Sequence, residues 1–186
     1  MLLTVFLVFS SKTAEAQQEP DGEAMLTFSY PSLGQAYLNV VFFDDVPYLP
    51  LGEVLSLLYI GNDKTENGKG LQGFFPSKND KWIVDPILGL ITIKGNRETL
   101  PADKFYLGNM DIFLHPDYYA RIFGLKFVVN FNALSLSLTA EYQLPLDERQ
   151  KREAMRKKMQ QSAANKDQTE APLIYGRDRK FFAPGM

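Results

Sequence analysis

The sequence predicts an α+β fold: two tandem β-hairpin–short helix–β-hairpin repeats, then a charged linker helix. Three observations predict it. Residues 47–60 (PYLPLGEVLSLLYI) and 111–124 (DIFLHPDYYARIFG) follow one plan at a constant offset of 64: an apolar stretch, a short helix with an acid near its start, and an aromatic before a break. Between Ala24 and Leu144 the apolar residues recur mainly with period two, the mark of half-buried strands. From Pro145 onward, acids and bases recur at helical spacing.

Each element has its own reason. Met25–Tyr30 and Tyr37–Phe43 alternate in part and favour β-formers. Asp44-Asp45 supplies a polar turn, and Val46–Leu51 runs back, so 37–51 reads as a hairpin. Pro47 and Pro50 place the return strand at an edge or at its end. Gly52–Ile60 shifts to helical spacing with Val54, Leu55, Leu57 and Leu58 apolar, Glu53 in the first turn and Gly61-Asn62 as the stop. Asp63–Gly70 is a polar loop. Phe74-Phe75, Lys81–Asp85 and Leu90–Lys94 are short strands, and Gly95-Asn96 turns the chain into Arg97–Leu100.

The second copy opens with Phe105–Leu107, Gly108-Asn109 and Asp111–Leu114 as a hairpin. His115 precedes Pro116, which suits the first helical position because its absent N–H is not needed there. Tyr118–Phe123 is helical, and Gly124 is placed to close it in the left-handed conformation. Leu125–Phe131 and Leu134–Thr139 complete the copy around Asn132-Ala133. At the offset of 64, Glu53 matches Asp117, Leu58 matches Ile122 and Tyr59 matches Phe123. The expected core is Leu55, Leu58, Trp82, Ile91, Ile93, Ile122, Phe123, Phe127 and Leu136.

The ends are different material. Leu2–Phe9 is mostly apolar, and Ala14-Glu15-Ala16 before Gln17 forms a small-x-small cleavage site, so residues 1–16 read as a secretory signal peptide. Met1 is followed directly by Leu2, without the usual basic start, and the expectation is that the signal is incomplete. Residues 24–144 are the β-rich two-repeat domain. Residues 145–165 are the charged helix, whose Asp147/Lys151, Glu148/Arg152 and Glu153/Lys157 pairs set the acid N-terminal, the better orientation. Its apolar stripe is only Leu146, Met155 and Met159. Ser162–Glu170 is polar, and 166–186 is expected to be an extended linker toward a missing downstream domain.

Composition narrows the chemistry. The chain has 186 residues with 14 Phe, 9 Tyr, 1 Trp and no Cys, which leaves out disulfides, a thiol nucleophile and cysteine metal sites. The net charge of −2 argues against a dedicated nucleic-acid binder. Residues 147–186 hold ten basic against six acidic residues, so residues 1–146 carry −6. His115 is the only histidine and reads as a helix-start residue rather than a catalytic or metal-binding one, since histidine metal sites need partners at defined spacing. Asp44-Asp45 is explained as a turn. Gly68-Lys69-Gly70 lacks the following helix that a phosphate site requires. No catalytic, cofactor-binding or metal-binding residue is assigned, and the expectation is a chain that is not an enzyme and uses no cofactor.

Two resemblances follow from these residues. The strand ending in Y-L-P-L, the short helix, the glycine and two further strands resemble the copper amine oxidase N-terminal-type, or stalk, module over roughly residues 37–140. Such modules are β-rich units of exported proteins, generally in tandem, that serve as spacers or adhesive elements; the resemblance implies no copper site. More of the chain is covered by a second one. The order GFFPSKNDKWIVD, ITIKGNRETLP, DIFLHPDYYARIFGLKFVVNFNALSLSL, EYQLPLDERQKREAMRKKM and YGRDRKFFAPGM resembles the N-terminal periplasmic region of usher-like outer-membrane β-barrel proteins. It implies a non-enzymatic periplasmic domain of an outer-membrane assembly or transport protein. Such a domain would bind a partner polypeptide or act as a spacer ahead of a downstream β-barrel. Membrane association would come only through that missing C-terminal part, and nucleic acid is not an expected partner. The alternative is a free-standing exported adhesive or cell-wall-binding module of the stalk type.

Overall fold

Runs of strands are interrupted by two short α-helices and followed by a long one. The computed structural model describes residues 19–169, with side chains described to residue 163. The signal-peptide segment 1–16 and most of the expected linker 166–186 lie outside the described residues. The chain divides into one unit up to Asp147 and a second from Glu148.

The first unit is α+β, with twelve strands in two sheets. In chain order these are β1 (Gly22–Tyr30), β2 (Gly34–Phe43), β3 (Val46–Pro50), α1 (Leu51–Leu57), β4 (Asn62–Lys64), β5 (Leu71–Phe74), β6 (Lys81–Asp85), β7 (Leu90–Ile93) and β8 (Asn96–Thr99). Then follow β9 (Phe105–Leu107), β10 (Ile112–Leu114), α2 (Pro116–Phe123), β11 (Leu125–Asn130), β12 (Ser135–Ala140) and α3 (Pro145–Thr169), which runs into the second unit. A seven-stranded sheet has the order β11-β12-β1-β2-β3-β10-β9, and a five-stranded sheet the order β4-β5-β6-β7-β8.

The hairpin–helix–hairpin order therefore occurs twice, but the copies do not fold as separate halves. The hairpins that precede the helices meet: β3 and β10 are antiparallel neighbours, with Leu49 opposite Leu114 and Pro50 opposite Phe113. At the offset of 64, Leu49 is equivalent to Phe113 and Pro50 to Leu114, so each rung maps onto the other, as it must about a local twofold axis. The hairpins that follow the helices part. β4–β5 opens the five-stranded sheet, whereas β11–β12 joins the seven-stranded one through a parallel pairing of β12 with β1. The longer connection after α1 is what lets the first of them leave.

One core serves both sheets and both helices. Leu26, Phe28 and Leu38 from the large sheet, Trp82, Val84 and Ile91 from the small one, and Leu55 and Phe123 from the helices belong to one buried cluster. Phe123 meets the Trp82 ring edge-on at 5.1 Å, and Tyr119 meets Phe127 edge-on at 5.2 Å. The buried Tyr119 hydroxyl donates to the Leu49 carbonyl at 2.8 Å and ties α2 to β3; burial holds its pKa well above the usual phenol value. Of the nine expected core residues, seven are buried, while Ile93 and Phe127 are only partly so. Phe127 lies on the edge strand β11, and Ile93 is the last residue of β7.

Three boundaries differ from expectation. α1 closes at Tyr59, not at Gly61-Asn62: Tyr59 takes the left-handed conformation (φ 58°), its N–H donates to Ser56 O, and the Ile60 N–H donates to Leu55 O. This is a Schellman closure, and the burial of Ile60 supplies the apolar contact that usually accompanies it. The polar loop after α1 holds the short strand β4, and β5 begins at Leu71, ahead of Phe74. α3 continues to Thr169 instead of stopping at 165, because nothing from Leu146 to Thr169 is a glycine or proline and Ala163, Ala164, Lys166 and Gln168 sustain it. At the head of α3, Asp147 accepts from the Tyr30 hydroxyl (2.9 Å), from Ser32 Oγ and from its own Leu144 N–H (3.2 Å). From Glu148 to Ala163 every side chain is exposed.

A cleft where the repeat symmetry breaks

The two helix starts are related by the repeat, yet they are finished differently. At α1 the carboxylate of Asp111, from the turn of the second hairpin, accepts from Gly52 N–H and Glu53 N–H, each at 2.9 Å, and from its own neighbour Ile112 N–H at 2.7 Å. A side chain at residue 52 would crowd this carboxylate, since a Cβ there would lie 3.1 Å from Asp111 Oδ1. Glycine at 52 is therefore what admits the cap. Burial, and then the Asp111 charge, raise the Glu53 pKa.

The equivalent corner at α2 has no such group. Pro47 stands where the offset of 64 places Asp111, and Pro116, equivalent to Gly52, has no N–H to offer. α2 is capped instead by its own His115, whose Nδ1 accepts from the Asp117 N–H at 3.2 Å. The reading of His115 as a helix-start residue is what the geometry shows.

The corner so vacated is a cleft of about 150 Å³. Phe43, Asp44, Val46 and Tyr48 of the first hairpin form one wall; Asp103, Lys104 and Phe105 face them, with His115 between. Asp44 and Asp45, both at positive φ (47° and 62°), make the two-residue turn that brings Phe43 here. The Tyr48 hydroxyl donates to Asp103 O at 2.5 Å, and the Lys104 carbonyl accepts from His115 N–H at 3.0 Å, so the segment leading into β9 is held against the first hairpin. Phe105 is both a wall of the cleft and the first residue of β9, the last strand of its sheet among the described residues.

Five rings run past this corner in a row. Phe113 and Tyr106 have centroids 6.0 Å apart, Tyr106 and Phe43 5.7 Å, Phe43 and Tyr48 4.8 Å, and Tyr48 and His115 5.3 Å. Sequence reasoning assigned no site, and it missed this one. Alternation along the first hairpin does set Phe43 and Tyr48 on one face. Nothing in either hairpin alone says that Tyr106 and Phe113 will continue the row, because their adjacency comes from the β3–β10 pairing.

His115, Tyr48 and Lys104 of the cleft each have a polar partner. Burial, reinforced by Lys104 and opposed by Asp117 and Asp103, lowers the His115 pKa below its usual 6.5, so the ring is neutral at neutral pH and keeps its proton on Nε2 while Nδ1 accepts. Burial, with Asp103, Asp44 and Asp117, raises the Tyr48 pKa. Lys104 lies 3.4 Å from Asp103. Among the described residues no group of three His, Asp or Glu is disposed to hold a metal ion, and no helix is long and apolar enough to cross a membrane. No family model, curated protein or solved structure matches the chain.

Proposed function

We propose that this chain is a non-enzymatic, exported polypeptide-binding domain of a periplasmic, usher-like outer-membrane assembly or transport protein. A partner strand is received where the aromatic row meets the open edge of β9. The compartment and the usher-like setting rest on the leader-like N-terminus and on the order of sequence segments. The binding role rests on the cleft.

The observation that carries it is a cleft too small for a metabolite but walled by aromatics beside a sheet edge. At about 150 Å³ it is well below the ~300–1,000 Å³ of small-molecule sites. It has room for one side chain of a partner. β9 is only three residues long, so pairing along its edge would be weak alone. A side chain seated between Phe43 and the Asp103–Lys104 segment supplies the anchor, and backbone pairing supplies direction, the division of labour in strand addition. The committed state of His115, Tyr48 and Lys104 suits recognition better than proton transfer.

Extended peptides selected by display against the full chain test this reading. Titrated into isotope-labelled protein, they should shift Phe43, Lys104, Phe105 and His115, and Tyr106→Ala should abolish binding while leaving the circular dichroism unchanged. Selected peptides that shift only residues elsewhere, or that bind Tyr106→Ala equally well, would overturn it.

A further inference from the structure

We propose that β11 is a self-association edge, through which a second copy of this chain pairs antiparallel about a twofold axis at Val128. The four edge strands among the described residues differ sharply. β4 and β9 have three residues each, and β8 is the exposed, charged run Asn-Arg-Glu-Thr. These are the short or charged edges by which sheets avoid pairing with other chains. β11 is unlike them: six residues long, in unbroken register with β12 from Leu125↔Ala140 to Asn130↔Ser135, without proline or glycine. Its one charge, Lys126, is already paired with Glu141 at 2.9 Å. Val128 is 63% exposed, and Phe131 and Leu134 in the following turn are 54% and 55% exposed.

The sequence of the strand selects the occupant. In β11 Lys126, Val128 and Asn130 face outward, while Leu125, Phe127 and Val129 face the core side. A twofold axis normal to the sheet keeps each face on its own side, so a residue must meet one of the same parity. An axis at Lys126 would set lysine against lysine, which is unfavourable. An axis at Phe127 would set Lys126 against the exposed Val128 of the other copy. An axis at Val128 sets Val128 on itself, Phe127 on Val129 and Lys126 on Asn130. Apolar then meets apolar on both faces and the cation meets a neutral amide. The strand is complementary to itself in this register, and not with the axis at Lys126 or Phe127. So short a pairing buries little area, and the dimer is expected to be reversible and concentration-dependent.

The absence of cysteine from the chain makes the test direct. Single-cysteine versions of the full chain are made at Val128, at Lys126 and at Tyr37, an exposed position on β2, and each is oxidised mildly. Directly opposed residues of an antiparallel pair lie within the Cα separation a disulfide spans. Val128→Cys should form the covalent dimer fastest, and Lys126→Cys no faster than Tyr37→Cys. Sedimentation of the unmodified protein should show a dimer that grows with concentration, lost in Val128→Lys with its melting temperature unchanged. Equal cross-linking at all three positions, fastest cross-linking at Lys126→Cys, or a monomer throughout the concentration range used for NMR would overturn the proposal. None of these outcomes bears on the cleft beside β9, which lies at the opposite end of the sheet.

Discussion

Asp111 and His115 do the same job at two equivalent helix starts, and their difference makes the cleft. Asp111 holds two N–H groups of a helix that belongs to the other repeat. Asp111→Ala removes that cap and should cost about 1–2 kcal/mol, the range for loss of a good N-cap. The urea midpoint should fall with no change in slope, and Asp111→Asn, which keeps one acceptor oxygen, should lose less. His115 sets a pH dependence whose sign is fixed by its environment. Its folded pKa lies below the unfolded value of 6.5, so below that pH the unfolded chain binds more protons than the folded one. The contribution of His115 is fully present above pH 6.5 and is lost as pH falls toward the folded pKa. The drop in melting temperature between pH 7.5 and pH 5.5 should therefore be smaller in His115→Asn, where asparagine still caps the helix but does not titrate. An equal drop in both proteins would show that other groups carry the acid sensitivity.

At the level of elements, α2 is the joint of the fold. Phe123 packs against Trp82 of the small sheet, Phe75 just beyond β5, and Tyr119, whose own ring meets Phe127 of the large sheet, so α2 links both sheets through two neighbouring side chains. Phe123→Ala should cost about 3–5 kcal/mol, in the range for a fully buried aromatic, and chemical denaturation would show it. This helix was legible in the sequence because Pro116 opens it, Gly124 closes it and Ile122-Phe123 fall on the inner side. The end of α1 was not, since the left-handed position went to Tyr59, a residue with no steric preference for it, while Gly61 suggested a later stop. α3 was legible as charged and helical but not in length, because polar helix formers look the same whether they sustain a helix or a loop. From Glu148 to Ala163 its side chains are all exposed, and a helix without a packed face is marginal in water. Its amides over that stretch should exchange with solvent far faster than those of Ile91, Leu136 and Leu138. Equal protection would mean that α3 gains tertiary support over its whole length.

For the whole molecule, the duplication is a device for building one sheet rather than two modules. The repeat could be read from sequence because helix signals and apolar spacing are local. How the copies combine could not, because it depends on which hairpins find each other: β3 with β10 across the local twofold, and β12 with β1, whose centres lie more than a hundred residues apart. The aromatic row and its cleft are products of the first pairing, which is why no site was visible in either copy alone. An independent module in a tandem array would fold when excised. Here residues 19–100 contain α1 but lack Asp111, its cap, and lack β10 and β12 as sheet neighbours. Residues 101–169 contain α2 but lack Trp82, Leu49 and the strands β1 and β3 on which its hairpins dock. Each fragment would expose most of the shared core, so neither should fold alone, as judged by dispersed amide resonances and cooperative melting. Mixed in equal amounts, the two should recover the dispersion of the intact chain, because the break at Leu100-Pro101 falls between β8 and β9 and cuts no strand. A cooperative transition in either fragment by itself would mean that the copies are separable modules joined in a row, and the local twofold would then be a consequence of packing instead of its cause.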